Sequence, residues 1–223
     1  MPNTTVIATV RDVSIESTWE LSSLPKGLNS QLIISQLNLN DSSSAAEALS
    51  RIQKENVVDH IDVVIANAGI CNHWGSIHDM EDSDLMAHFE VNTLGLLRLF
   101  RATVPLLKVS QQPTFVYIST TLASIAGLGN SPSLTAAYGV SKVAGNYLIK
   151  KIHGEDDTLI AFSIDPGFVQ TDMGNRGAQY GGLAEAPVTI AESVEGIIEQ
   201  IKVSTKSTNS GKFMQFNGGT LPW

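Results

Sequence analysis

Apolar residues along the chain alternate between short β-branched runs and longer stretches in which they recur at helical intervals. The short runs predict buried strands at 4–10, 32–39, 61–66, 114–120, 158–164 and 212–216. The longer stretches predict helices after Asp12 to about Leu24, from Ser44 onward, and at 81–108, 134–152 and 189–203. This alternation predicts an α/β fold, with a mostly parallel, doubly wound sheet that carries helices on both faces.

The least regular stretch of the chain is 166–187. It contains five glycines, at positions 167, 174, 177, 181 and 182. Loops of this length inside compact domains are usually functional or mobile. We interpret the stretch as a lid over a substrate, and the alternative is an ordinary surface loop.

Composition and charge narrow the class of protein. With 223 residues and 43% hydrophobic content, the chain has enough apolar material for a substantial core, and we expect residues 1–223 to form a single domain. The formal net charge is -8 and no run of basic residues occurs, so we expect no nucleic-acid partner. Apolar runs fall far short of the ~20 residues that a membrane span needs. We therefore expect a cytoplasmic protein with no membrane partner.

The cysteine and histidine content argues against metal sites and disulfides. Cys71 is the only cysteine, which excludes an intramolecular disulfide and a cysteine-based zinc site. The histidines show no metal-ligand spacing with acidic partners, so no metal site is predicted. A reducing compartment fits this composition.

Tyr138 and Lys142 are the first candidates for chemistry. They stand four positions apart in a predicted helix, so their side chains share one face. A lysine charge beside a phenol favours the phenolate, and we expect Lys142 to draw the pKa of Tyr138 down toward neutrality. Such a pair can protonate a carbonyl oxygen or remove a proton.

Four further pieces accompany this pair along the chain. They are Asn67-Ala-Gly69 after a strand, Asn92 in the long helix, Ser119-Thr120 at the end of a strand, and Asp165-Pro166-Gly167 followed by Thr171. Together with Tyr138 and Lys142 they make the chain resemble the short-chain dehydrogenases/reductases, from residue 4 to the C-terminus. Within that family it is most similar to fungal ketoreductases of the norsolorinic-acid type.

The resemblance implies a role for each matching residue. Tyr138 is the implied general acid/base, Lys142 modulates its pKa and binds the cofactor ribose, and Asn92 relays protons through water. Thr120 falls at the position of the family's catalytic serine, with Ser119 one residue earlier. Since neighbouring residues of a strand face opposite sides, only one of these two hydroxyls can point at the substrate, and we favour Thr120. The alternative is that both are ordinary strand residues.

The resemblance also implies residues that line the ligands. Those beside a cofactor are Asn67, Gly69, Pro166, Gly167 and Thr171. Arg11 stands where the family commonly holds the adenosine 2′-phosphate, with an ordinary surface residue as the alternative. His73 and Trp74 are candidates for stacking against a flat aromatic or polyketide ligand, and the alternatives are a solvated His73 and a packing role for Trp74. Tyr180 is a candidate to cover a bound ligand, and the alternative is that it only anchors the loop.

One departure from the family lies near the N-terminus, since the first glycine of the chain is Gly27. Family members begin with a strand and a glycine-rich turn whose N–H groups bind the cofactor pyrophosphate. We interpret the chain as N-terminally truncated, a Rossmann-like fold that lacks its first strand and helix. Each lost charge-assisted hydrogen bond removes roughly 1.5–3 kcal/mol, so we expect poor NADPH affinity.

The missing strand has a structural consequence as well. In this family it lies at the centre of the sheet, and a bare gap would leave backbone groups unpaired. We therefore expect that strand 4–10 moves beside strand 61–66 or that another chain fills the gap.

Three functions remain open at this point. The first, which we favour, is a non-redox enzyme that uses Tyr138 and Lys142 for isomerisation, dehydration or cyclisation of a bulky carbonyl or polyketide-type metabolite, with no cofactor. The second is an NADP(H)-dependent ketoreductase whose given N-terminus is incomplete. The third is a non-catalytic partner subunit. A small-molecule carbonyl substrate and, by resemblance, a homodimer are expected.

Overall fold

A computed structural model of the protein describes residues 2–56, 58–130 and 134–223. The chain divides into two compact units, Met1–Asp59 and His60–Trp223, and each is described by itself. The expectation of a single domain stays a prediction.

The first unit contains two strands and two helices. They are β1 (Thr5–Val10), α1 (Glu16–Ser22), β2 (Gln31–Gln36) and α2 (Ser44–Asn56). β1 and β2 pair in parallel over their full length, as the β-branched runs and the intervening helix predict. Buried Ala45, Ala48 and Ile52 of α2 give this unit its own small core.

The second unit contains a five-stranded sheet. Its strands are β3 (Val63–Ala66), β4 (Thr114–Ile118), β5 (Ile160–Asp165), β6 (Phe213–Gln215) and β7 (Thr220–Leu221), in the spatial order β3-β4-β5-β6-β7. The pairs β3–β4, β4–β5 and β5–β6 are parallel, and β7 runs antiparallel to β6. The helices are α3 (Asp82–Phe89), α4 (Gly95–Leu107), α5 (Ala136–Glu155), α6 (Asp172–Tyr180) and α7 (Ile190–Val203).

Helices cover this sheet on two faces. On one face, Phe115 and Tyr117 pack with Leu96 of α4 and Ile149 of α5 in a buried cluster. The other face presents Val116, Phe162 and Met214, against which Ile197 and Ile201 of α7 pack. The burial of both faces explains why β4 and β5 are almost continuously apolar. The predicted α/β, Rossmann-like fold is confirmed.

Three elements differ from the sequence-based expectation. The predicted helix at 81–108 consists of α3 and α4 joined by a π-helical turn at Glu90–Leu94. The stretch 166–187, expected to be irregular, contains the helix α6, which the Thr171 side chain caps by accepting a hydrogen bond from Gly174 N. The short strand β7 was not predicted.

The pairing of β1 does not support the first of the two expectations for the missing strand. β1 hydrogen-bonds with β2 in a two-stranded sheet and β3 with β4 in the other sheet, and the second expectation, that another chain fills the gap, stays a prediction. β3 is an edge strand of the five-stranded sheet, and its residues Val63 and Ile65 are each 40% exposed.

In the described part of the chain, no helix is both long and apolar enough to cross a membrane.

Candidate active site

The candidate site lies at the carboxyl ends of β3, β4 and β5. Because parallel strands end at the same edge of a sheet, the segments that follow Ala66, Ile118 and Asp165 meet there. The first turns of α5 and the π-helical turn before α4 complete the site. The residues that resemble the family's motifs all fall on these segments, with the exception of Arg11.

Lys142 is buried beneath this edge, with only 2% of its surface exposed. Its Nζ donates a hydrogen bond to the carbonyl oxygen of Ile118, the last residue of β4, at 2.8 Å. The same nitrogen lies 4.6 Å from the centre of the Tyr117 ring and 5.7 Å from that of Tyr138. Burial lowers the pKa of Lys142 to about 7, because water no longer solvates the charge.

Tyr138 has a pKa well above its ordinary value, and burial is the main cause. The neighbouring Cys71 and Asp165 raise this pKa further, whereas a hydrogen bond with the Thr120 hydroxyl lowers it. The expectation that Lys142 draws the pKa of Tyr138 down toward neutrality is therefore wrong. Loss of solvation outweighs the spacing that favours the phenolate, so Tyr138 is a neutral phenol near pH 7.

The structure separates the two candidate hydroxyls at the end of β4. Thr120 hydrogen-bonds to the phenol of Tyr138 and caps the following helical turn by accepting from Leu122 N at 3.3 Å. The Ser119 hydroxyl points elsewhere and donates to Asn146 Oδ1 of α5 at 2.7 Å. Ser119 thus anchors α5 to β4, and Thr120 alone of the pair is next to Tyr138.

Asn92 lies in the π-helical turn and is 1% exposed. Its side chain accepts from Ile70 N at 2.8 Å and donates to Ile70 O at 3.0 Å and to Ser141 Oγ at 2.9 Å. The loop after β3 is thereby fixed to α5. π-helical turns are frequent at functional sites, and here the widened turn aims Asn92 across the site. A water-relay role for Asn92 stays a prediction.

The surroundings of Gly69 fit the ribose of a nicotinamide dinucleotide. A Cβ at Gly69 would lie 3.1 Å from Asn92 Oδ1 and 3.2 Å from Lys142 Nζ, so only glycine leaves this space beside the ammonium open. Lys142 has three N–H donors, of which one is used by Ile118. Two buried donors next to an open space fit the hydroxyls of a ribose.

The loop after β5 is held by Asp165. Its carboxylate accepts from Thr121 N at 2.8 Å and from Gly167 N at 3.2 Å. Gly167 has a φ of +81°, which favours glycine, and Pro166 O accepts from Ser193 Oγ of α7 at 2.7 Å. These contacts place Pro166 and Gly167 at the edge of the sheet next to Thr120.

Three of the predicted cofactor residues are exposed. Asn67 directly follows β3, and Thr171 begins α6. Arg11 follows β1 in the first unit. Their contact with a cofactor stays a prediction. We assign no residue of the chain to the cofactor pyrophosphate, because no glycine-rich turn of the family's kind precedes Gly27.

The three predicted substrate residues lie close to one another. The rings of Trp74 and Tyr180 are 5.4 Å apart, and a Cβ at Gly177 of α6 would lie 2.9 Å from Trp74 Cη2. His73 Nε2 lies 3.6 Å from Asp84 Oδ2. The loop after β3 therefore meets α6. Among the described residues, His73 Nδ1 and Trp74 Nε1 are buried without a hydrogen-bond partner.

Sequence reasoning missed several residues of the site. Cys71 is buried, its pKa is raised to about 11 by burial, and it interacts electrostatically with Tyr138, Lys142 and Arg176. No motif singles out Cys71 or Arg176. Asp165 was noted as part of a motif but not as the group that holds the turn after β4.

Comparison with known proteins agrees with these motifs. The family model described as short chain dehydrogenase matches residues 4–179. The chain is 42% identical to a norsolorinic acid ketoreductase of Aspergillus parasiticus, over 100% of this chain and 83% of that protein. It is 38% identical to a norsolorinic acid ketoreductase of Emericella nidulans, over 100% of this chain and 85% of that protein.

A solved structure is similar as well. The crystal structure of NADPH-bound carbonyl reductase from chicken fatty liver superposes with a TM-score of 0.84 at 26% identity, covering 98% of this chain and 87% of that one. The relatives are thus named for ketone or carbonyl reduction, and one of them holds NADPH.

These names overturn the function favoured from the sequence. A non-redox enzyme without a cofactor is wrong as the main interpretation, because relatives at 38% and 42% identity over the whole chain are ketoreductases. The error came from giving the absent glycine-rich turn more weight than the motifs that are present. By the match over residues 4–179 and by its relatives, this chain belongs to the short-chain dehydrogenase family of oxidoreductases.

Proposed function

We propose that this protein is an NADPH-dependent reductase of a bulky, largely apolar ketone of the aromatic polyketide type. Its ketoreductase relatives and the NADPH-bound carbonyl reductase support the reaction. The observation that carries the proposal is the cluster of Thr120 and Tyr138 beside the buried Lys142, in which Tyr138 is kept as a phenol.

The mechanism follows from the protonation of these groups. Bound NADPH supplies a hydride for the carbonyl carbon. Tyr138 donates its phenolic proton to the carbonyl oxygen, and a raised pKa keeps that proton available near neutral pH. The Thr120 hydroxyl, hydrogen-bonded to Tyr138, orients the phenol and the substrate oxygen. The N–H donors of Lys142 that Ile118 does not use would hold the ribose hydroxyls of the cofactor.

The site also offers a place for a flat ring. The rings of Trp74 and Tyr180 lie 5.4 Å apart, and Tyr180 is 55% exposed, so a flat ligand would stack on its ring. His73 and Tyr180 line the same mouth. The alternative is that these residues only pack α6 against the loop. In that case their substitution should leave the KM for the ketone unchanged.

The experiment follows NADPH oxidation by the purified chain with an aryl ketone, at NADPH concentrations up to millimolar. Ketone-dependent oxidation that is lost in Tyr138→Phe supports the proposal. No ketone-dependent oxidation across this range would count against it. The cofactor concentration is extended because no residue of the chain is assigned to the pyrophosphate.

We further propose that the protein is a cytoplasmic homodimer. Val140 and Tyr147 lie seven positions apart on one face of α5, and both are exposed, at 48% and 68%. A second copy would cover this apolar face. Sedimentation of the wild type and of Tyr147→Glu tests the proposal, and a wild-type monomer would contradict it.

A further inference from the structure

Helix α6 turns one face toward the loop after β3. Met173, Arg176, Gly177 and Tyr180 are three or four positions apart and therefore share that face. The Tyr180 ring packs against the ring of Trp74 in this loop. Trp74 also comes so close to Gly177 that a Cβ there would lie 2.9 Å from it. Arg176 thus lies on the side of α6 that borders the candidate site.

The electrostatics agree with this position. The guanidinium of Arg176 and the ammonium of Lys142 both hold the pKa of Cys71 lower than burial alone would. Cys71 in turn raises the pKa of Tyr138 electrostatically. One thiol therefore lies within reach of both the catalytic lysine and the arginine of α6.

Arg176 has no counter-charge of its own. It is exposed, and in the ranges that the structure describes it forms neither an ion pair nor a hydrogen bond. The chain has 22 acidic residues against 14 basic ones, so an arginine without an acidic partner at the mouth of a site is available to a ligand.

Two polar atoms without a hydrogen-bond partner lie on the loop that α6 packs against. Trp74 Nε1 is a donor, His73 Nδ1 is a donor or an acceptor, and both are buried without a partner among the described residues. Buried polar groups in proteins are nearly always hydrogen-bonded, so such groups point to an oxygen that a ligand supplies.

We propose that Arg176 is a specificity-determining residue, which selects ketones that carry a negatively charged oxygen at a distance from the reacting carbonyl. Trp74 contributes a ring surface and one N–H donor to the same ligand. The inference rests on the proposed function, since it concerns the substrate end of that site. It adds a charge preference that the catalytic residues do not supply.

Binding without turnover tests the inference separately from the proposed function. Calorimetry in the absence of NADPH compares anthraquinone-2-carboxylate with anthraquinone-2-carboxamide, which differ in charge but hardly in shape. An exposed arginine is worth about 1 kcal/mol to an anion, so the wild type should prefer the carboxylate about fivefold. The preference should shrink at high salt, which screens exposed charges. A second anion, 2-hydroxyanthraquinone above the pKa of its phenol, separates recognition of a phenolate from that of a carboxylate.

Three variants complete the experiment. Arg176→Gln should bind the carboxylate and the carboxamide equally, whereas Arg101→Gln should keep the preference. Arg101 is a suitable control because it is also exposed and lies on α4, which leads away from the site toward the start of β3. Trp74→Phe keeps a ring but loses the N–H, so it should weaken all the ligands and preserve the preference for an anion.

The outcomes are distinguishable. An Arg176-dependent preference for either anion supports the inference, even if no ketone is reduced. Equal binding of the carboxylate and the carboxamide by the wild type, a preference that survives in Arg176→Gln, or no binding of any of the compounds would overturn it. Loss of reduction in Tyr138→Phe bears on the proposed function alone.

Discussion

The ammonium nitrogen of Lys142 lies 5.7 Å from the centre of the Tyr138 ring, and both groups are withdrawn from water. Burial disfavours the charged form of each group, which is the phenolate of Tyr138 and the ammonium of Lys142. The pKa of Lys142 falls to about 7 and that of Tyr138 rises. Near neutral pH the site therefore holds a phenol ready to donate a proton, which is the form that ketone reduction requires.

Replacing Tyr138 by phenylalanine should remove the proton donor and preserve the fold. We expect the rate of ketone reduction to fall by about 10²–10⁴-fold, the usual contribution of general acid catalysis. Steady-state kinetics and a thermal melt measure the two effects. Tyr147→Phe is the matched control, because Tyr147 lies on the same helix but is 68% exposed. Equal rates in Tyr138→Phe and wild type would remove Tyr138 from the mechanism.

The two hydroxyls at the end of β4 should respond differently to mutation. Thr120→Val keeps the shape but removes the hydrogen bonds of this hydroxyl with Tyr138 and Leu122 N, so we expect kcat to fall. Ser119→Ala leaves buried Asn146 Oδ1 without its donor, and should cost about 1–3 kcal/mol of unfolding free energy. Urea unfolding and kcat distinguish them. The opposite pattern, with kcat lost in Ser119→Ala and kept in Thr120→Val, would reverse the assignment.

The pH dependence of stability should report the burial of Lys142. Its pKa is about 7 in the folded protein and near the ordinary 10.5 when unfolded, so the unfolded chain binds more protons between these values. By linkage, this group adds stability as the pH rises above about 7, and the gain is complete near 10.5. From pH 6 to pH 9 the gain is roughly 2–3 kcal/mol, at about 1.4 kcal/mol per pH unit.

Lys142→Met removes this dependence. Relative to wild type, the variant should therefore be more stable at pH 6 than at pH 9, while reduction is lost at both. Denaturant unfolding at the two pH values checks the sign. A wild-type protein that gains no stability relative to the variant over this interval would show that Lys142 titrates normally.

Asn92 should control the order of the loop after β3. Asn92→Ala removes both hydrogen bonds to Ile70 and one to Ser141, and we expect a loss of roughly 2–4 kcal/mol. Hydrogen exchange of the Ile70 amide should accelerate. Asn175→Ala is the control, since it releases Ala186 N instead, and its effect should appear at Ala186 and not at Ile70. Unchanged exchange at Ile70 in Asn92→Ala would contradict the assignment.

Much of the fold follows from the sequence because its periodicity is strong. The apolar runs that became β4 and β5 are buried on both faces, and a run of that kind has few alternatives to a central parallel strand. α6 was missed because its glycines suggest a loop. Gly174 is required there because a Cβ would clash with the backbone carbonyl of Val169, whose carbon would lie only 3.0 Å away. Gly177 is required by the close approach of Trp74.

The site was predicted residue by residue but not in its electrostatics. Spacing places Tyr138 and Lys142 on one face of a helix, yet only the packing around them determines how far water is excluded. The direction of the Tyr138 pKa was therefore missed. Cys71 and Arg176 were missed for a related reason, since they reach the site from a loop and a helix that no sequence motif brings together.

The hydrogen that reduces the carbonyl carbon should come from NADPH. NADPH deuterated at its transferable position, given to the purified protein with an aryl ketone, tests this by mass spectrometry of the product. We predict an alcohol that carries the deuterium at the former carbonyl carbon, formed about 10²–10⁴-fold more slowly by Tyr138→Phe. A product without deuterium, or a product formed equally well without NADPH, would contradict the account.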